Sequence, residues 1–258
     1  MSHGSQIAKN ATWLVLATTA QKIIAFVVFT LVARWVGVDV IGSYFYAVSV
    51  TSVFVILTDL GLTPVVIREI AADEIKGMGA LRKALLAKAV LIPTAICATM
   101  AYALLTQRAA HDWIAIALAC FVMSADAMSL IWYGAIRGKR QLRFEAIGML
   151  AGQILTGVFS VASIKIFHGG VYGLIVALMA GSFWNVGWSI WNARALGVRL
   201  TGVVLWPWKT IAKMALPFAL AGMFVKVYSY VDTLLIRQFH TIADVGHYAV
   251  AYKITYAC

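Results

Sequence analysis

The sequence predicts an all-α, polytopic membrane helix bundle. One complete six-helix lobe is followed by the first one to two helices of a second lobe that repeats it in parallel. Three observations carry that prediction. Ile7 to Thr51 aligns without a gap onto Ile211 to Thr255 with thirteen identities, among them Lys22/Lys226, Gly42/Gly246, Tyr44/Tyr248 and Thr51/Thr255. A repeat this long in an apolar chain marks a duplicated membrane bundle. Of the 258 residues 62% are hydrophobic and 12% charged, too little polar surface to cover a soluble domain of this size. Finally, the chain contains several apolar runs of the roughly 20 residues that one crossing of the hydrocarbon core requires.

The elements follow in order. Runs at 11–36, 40–62, 84–106, 113–136, 146–167, 171–192 and 211–236 each suffice for one span, and an eighth opens near Val245. The first run is too long for a signal-peptide core and Lys22 would interrupt one, so it is read as a retained helix. Between the second and third runs, Val65, Val66, Ile67 and Ile70 alternate with charged residues, the pattern of a short helix lying in the membrane interface. Gly148 and Gly152 form a GxxxG in the fifth run, which permits close helix approach. Pro93 and Pro217 remove backbone hydrogen bonds inside the third and seventh. The expected division is a first lobe at 1–200 and an incomplete second lobe at 201–258.

Charge placement sets the expected orientation. The net charge is +11, but the cations sit in alternate loops and do not form a nucleic-acid footprint. Lys9, then Arg68, Lys76, Arg82 and Lys83, then Arg137, Lys139, Arg140 and Arg143, then Arg194, Arg199, Lys209 and Lys213 fall on one side. Only Arg34, Arg108, Lys165 and Arg237 fall on the other, which places the amino terminus in the cytoplasm. Six helices separate the two copies, so both enter the membrane from the same side and are related by an axis along its normal. The Arg137–Arg143 turn is expected to meet anionic lipid headgroups, with the phosphates of a lipid-linked substrate as the alternative.

No metal or cofactor is expected. Cys97, Cys120 and Cys258 show no ligand spacing, and the five histidines are scattered over the tail and outer loops.

Ionisable residues inside the spans carry most of the functional information, because a charge near the bilayer centre costs about 2.5–3.5 kcal/mol on insertion scales and so faces a bundle interior or a wet cavity. Lys22 and its repeat mate Lys226 lie deep in the first and seventh runs. Equivalent positions of a parallel repeat would bring the two cations into one central cavity suited to a phosphate or pyrophosphate. Tyr230 lies four residues beyond Lys226 on the same face. The competing reading pairs each lysine inside its own lobe, with Asp126 facing Lys22 and Asp232 near Lys226; Asp126 and Asp232 are equally candidates for ion coupling. Asp59 and Lys88 sit nearer the cytoplasmic ends of the second and third spans, where snorkelling relieves the cost, and both are read as structural. Trp184, Trp188 and Trp191, with Asn185 and Asn192, are read either as an interfacial belt or as a surface for stacking on sugars.

Several segments are similar to a known family. Ala33-Arg34-Trp35-Val36-Gly37, Ile41-Gly42-Ser43-Tyr44, Asp59-Leu60-Gly61-Leu62 and Ile67-Arg68-Glu69-Ile70-Ala71 resemble the opening of the multidrug/oligosaccharidyl-lipid/polysaccharide exporter (MOP) superfamily, and within it the Wzx-type O-antigen and polysaccharide repeat-unit flippases. Asp232 and Val245-Gly246-His247-Tyr248-Ala249-Val250-Ala251-Tyr252-Lys253 look like the start of that family's second lobe. The resemblance implies transport without bond chemistry. An undecaprenyl-pyrophosphate-linked oligosaccharide would pass from the cytoplasmic to the periplasmic leaflet of the bacterial inner membrane, with polysaccharide polymerase and export machinery as partners. The alternatives are a cation-coupled drug or metabolite antiporter of the same superfamily, favoured by Asp126, and an inactive fragment. An enzyme would need a site on a large outer loop, and the outer loops are short.

Overall fold

A computed structural model describes residues 3–106, 110–200 and 207–257. The described residues form ten helices: α1 (His3–Val36), α2 (Val38–Phe54), α3 (Ile56–Asp59), α4 (Leu62–Ala72), α5 (Glu74–Thr106), α6 (Ala110–Gly138), α7 (Leu142–Lys165), α8 (Gly170–Ala195), α9 (Trp208–Phe239) and α10 (Ile242–Ala257). Seven segments are long and apolar enough to cross a membrane, α2 and α3 counting as one span from Val38 to Asp59. Helices are the form such segments must take, since only they satisfy every backbone group within one segment in lipid. The expected division between lobes falls at 201–206, outside the described residues, as do Arg108 and Cys258.

Turns are sharp. Gly37 separates α1 from α2 at φ +80°, and Leu60 and Gly61 reverse the chain after α3 at φ +43° and +77°. Side chains rarely adopt these values; Leu60 caps α3 there, its N–H donating to the Ile56 carbonyl at 2.9 Å.

Helix α7 packs against α1 and α8, and α8 in turn against α6, while α4 wedges between α5 and α6. The interface helix expected around Thr63–Lys83 is therefore corrected. Only α4 is separate; it is docked through buried Leu62, Val65, Val66 and Ile70, and Gly77 and Gly138 open the space that admits Ile70. The remaining residues belong to α5, which starts ten residues before the apolar run. Its 33 residues rise about 50 Å, well beyond a ~30 Å hydrocarbon core. Gly148 and Gly152 do permit close approach: a Cβ on Gly148 would strike Tyr133 and Trp188, and one on Gly152 would strike Asn185.

The two copies of the repeat meet along α2 and α10. A Cβ on Gly42 would strike the carbonyl oxygen of Ile242, and one on Gly246 would strike that of Val38. Gly42 and Gly246 are repeat mates, as are Val38 and Ile242, each 204 positions apart. The contact therefore maps onto itself when the copies are exchanged and lies on the pseudo-two-fold axis, where only glycine lets the backbones approach. Around it, Ile41, Phe45 and Val50 of α2 share one buried core with Val245 and Ala249 of α10.

Candidate functional site

A cavity of about 880 Å³ lies between the first lobe and the start of the second. Helices α1, α2, α3, α6, α7 and α8 form most of its wall, and α9 and α10 close it with Ala221, Gly222, Val225, Lys226 and Lys253. Its six ionisable carboxylate, guanidinium and ammonium groups are Asp59, Asp126, Arg137, Glu145, Lys226 and Lys253.

Four of the groups on or behind the first-lobe wall neutralise one another. Lys88 is fully buried and its Nζ lies 2.9 Å from Asp59 Oδ1 while donating to the Thr58 carbonyl at 3.0 Å. Asp59 also accepts from the Thr63 hydroxyl at 2.5 Å and the Thr63 backbone N–H at 3.2 Å, which ties the ends of α3 and α4 across the Leu60–Gly61 reversal. The structural roles expected of Asp59 and Lys88 are met by this ion pair, although Lys88 does not snorkel: it is enclosed in the packed bundle and takes a carboxylate partner instead. Arg137 forks onto Glu145, with Nε donating to Oε2 at 2.7 Å and Nη2 donating to Oε1. Glu145 is buried in the first turn of α7, and this bidentate geometry is the one guanidinium and carboxylate favour. Arg137 is accordingly a cavity residue at the end of α6. Arg140 in the turn beyond and Arg143 in the first turn of α7 remain exposed.

The sequence candidates separate. Lys226 lines the cavity, with Nζ 5.6 Å from the centroid of the Tyr230 ring. Lys22 is exposed and outside the lining, where its neighbours Gln21 and Ala25 stand instead. Asp126 also faces the cavity, where Ser182 and Lys226 are the polar groups that act on its carboxylate. Asp232 accepts from the Tyr248 hydroxyl of α10 and from the Thr233 N–H at 2.8 Å, so it links the two second-repeat helices. The tryptophans stand apart from the cavity: Trp184 and Trp188 stack on each other with centroids 5.8 Å apart, and Trp188 Nε1 donates to the Phe144 carbonyl at 2.7 Å. Asn185 of the same helix does line it and accepts from Tyr133 Oη at 2.7 Å.

Sequence reasoning missed Lys253 as a site residue, having quoted it only inside a motif. Its Nζ sits 5.7 Å from the Phe29 ring centroid and it lines the same cavity as Lys226. The available signal was a lysine in an apolar run, three residues beyond Val250. The polar face of α7 was also missed, because Gln153, Thr156 and Ser160 are dispersed among apolar residues and glycines of a span that reads as uniformly apolar.

Among the described residues there is no cluster of three or more His, Cys, Asp or Glu side chains able to hold a metal ion. What the cavity offers is two cations, one polar wall and one lone carboxylate.

A family model described as polysaccharide biosynthesis protein matches residues 7–258. No curated protein matches the sequence. Among solved structures, the chain is similar to an inward-facing multidrug resistance MATE family transporter of the MOP superfamily, at 14% identity and a TM-score of 0.65 over 92% of this chain and 58% of that one. It is similar to a MATE protein in complex with MaD3S at 13% identity and a TM-score of 0.64, over 98% of this chain and 65% of that one. It is also similar to a MOP superfamily transporter from Pyrococcus furiosus described as having a binding pocket of reverse polarity, at 15% identity and a TM-score of 0.57, over 100% of this chain and 67% of that one. At these identities the likeness is one of fold, and the chain spans 58% of the length of the first of these transporters.

Proposed function

The chain belongs to the polysaccharide biosynthesis protein family, and from that premise we propose that it takes part in moving a lipid-pyrophosphate-linked oligosaccharide across a bacterial inner membrane. Family and fold are those of multi-pass membrane transporters and not of enzymes. The reading is a flippase that carries undecaprenyl-pyrophosphate-linked units from the cytoplasmic to the periplasmic leaflet. Residues 1–200 act as the first lobe, 201–258 open the second, and the amino terminus is cytoplasmic. The observation that carries it is the pair Lys226 and Lys253, two cations on the cavity wall with no carboxylate within 4 Å among the described residues. An ammonium with no carboxylate in contact calls for an anionic ligand at this depth, and a pyrophosphate supplies the charge.

The carboxylate Asp126 favours a second reading, the cation-coupled antiporter, since it also faces the cavity. Proteoliposomes containing the protein separate the two. Undecaprenyl-pyrophosphate-linked disaccharide added to the inner leaflet is expected to become accessible to an external glycosidase in a protein-dependent way. No redistribution, together with proton-coupled uptake of a cationic dye, would replace the flippase with the antiporter.

A further inference from the structure

Helix α7 carries Glu145, Met149, Gln153, Thr156 and Ser160 at intervals of four, four, three and four residues, and all five line the cavity. At about 100° per residue they fall within an arc of roughly 80°, and they extend about 22 Å along the helix. The opposite face is membrane-type, with Ile147, Ile154 and Val158 exposed. A polar stripe this long on a spanning helix is costly unless it faces water or a ligand.

The stripe's hydrogen-bonding capacity is open. Several hydroxyls in these spans are spent on the carbonyl four residues earlier, as in Thr30, Thr94, Thr99 and Ser124. Gln153, Thr156 and Ser160 have no hydrogen-bond partner among the described residues, while Glu145, at the end of the stripe, is committed to Arg137. What remains is one carboxamide and two hydroxyls, neutral groups that both donate and accept. The cations lie elsewhere: α7 packs against α1 and α8, whereas α9 packs against α2, α3 and α4. The cavity therefore has a neutral hydrogen-bonding wall and a cationic wall.

We propose that the α7 stripe of Gln153, Thr156 and Ser160 is a carbohydrate-contacting surface that reads the hydroxyls of the head group, while Lys226 and Lys253 hold its phosphates. The inference rests on the function proposed above and adds where sugar specificity resides. Neutral groups of paired donor and acceptor character match sugar hydroxyls, and leave a bare pyrophosphate almost unaffected because they carry no charge. The tryptophans of α8 do not perform this role, since Trp184 and Trp188 stack on each other outside the cavity lining.

The test measures binding of the protein in lipid nanodiscs to three probes: bare undecaprenyl pyrophosphate, and the same lipid carrying one N-acetylglucosamine or a disaccharide. The wild type is expected to prefer at least one glycosylated lipid by about tenfold, the increment of two or three neutral hydrogen bonds. The triple variant Gln153→Leu, Thr156→Val, Ser160→Ala is expected to bring the probes to parity with bare-lipid affinity retained. Should the triple variant lose bare-lipid binding through misfolding, the single variants are compared in the same way, each expected to shrink the preference. A preference that survives in the variants, or a wild type with none, overturns the proposal. A wild type that binds no pyrophosphate lipid at all overturns the flippase reading itself, a separate outcome.

Discussion

The two walls of the cavity treat charge in opposite ways. On the first-lobe side Asp59 is met by Lys88 at 2.9 Å and Glu145 by Arg137, so four ionisable groups cancel in pairs. On the side built by the second repeat, Lys226 and Lys253 have aromatic neighbours, Tyr230 and Phe29, and among the described residues no carboxylate within 4 Å. Asp126 is the exception on the first wall, acted on by Ser182 and Lys226. Depth in the membrane is thus a poor guide to which charge serves a ligand. The informative property is whether the charge already has a partner.

If that contrast is right, substitutions on the two walls fail in different ways. Lys88→Met leaves Asp59 without its cation and is expected to lower stability by about 3–5 kcal/mol, read from denaturant unfolding in micelles. Adding Asp59→Leu should recover much of the loss. A stable single variant would break the claim that the first wall's charges are structural. Lys226→Ala should do the reverse. Stability stays within about 0.5 kcal/mol, while affinity for undecaprenyl pyrophosphate falls roughly 10- to 100-fold, as expected for losing a charge-assisted hydrogen bond. Lys22→Ala should leave that affinity within about twofold. Equal losses at both lysines would place Lys22 on the ligand's path and dissolve the asymmetry.

That asymmetry also marks the limit of what the residues disclose. The spans were legible because lipid imposes a length and an apolar composition on each one, and the repeat was legible because Gly42/Gly246 and Tyr44/Tyr248 kept their identities. Which of two equivalent lysines faces the cavity was not. A repeat fixes the fold of each copy, but the environment of Lys226 is built by the first lobe, whereas Lys22 stands on an exposed face of α1. Pairing was illegible for a related reason: Arg137 and Glu145 are eight positions apart across a turn, and Lys88 and Asp59 are joined only when α3, α4 and α5 dock. The α7 stripe was readable in principle, since its spacing is helical, but a polar residue every three or four positions in a span announces a wet face only once one asks what the face meets.

The glycine crossing turns the symmetry itself into a measurement. Because Gly42 and Gly246 exchange roles across the axis, Gly42→Leu and Gly246→Leu should cost similar amounts, about 1–3 kcal/mol each, read as thermal unfolding in the same detergent. The double variant should cost less than the sum, because the first leucine already separates the backbones. Additive or very unequal effects would remove the contact from the axis.

A smaller effect discriminates more finely between the walls. Ser49 and Lys253 are repeat mates, 204 positions apart, and their fates differ as those of Lys22 and Lys226 do. Ser49 is fully buried and its hydroxyl has no hydrogen-bond partner among the described residues, while Lys253 reaches the cavity. Ser49→Ala removes an unsatisfied group and so is expected to be neutral or stabilising by up to about 1 kcal/mol. The comparison serine is Ser124, whose hydroxyl donates to the Cys120 carbonyl at 2.7 Å; Ser124→Ala should cost a few tenths of a kcal/mol to about 1 kcal/mol. The reciprocal change, Lys253→Ser, gives the second copy the residue of the first and should weaken pyrophosphate binding with the fold intact. If Ser49→Ala were instead the more damaging serine variant, its hydroxyl would have to be engaged in the native protein, and the first copy would hold a polar contact where the second holds its cation.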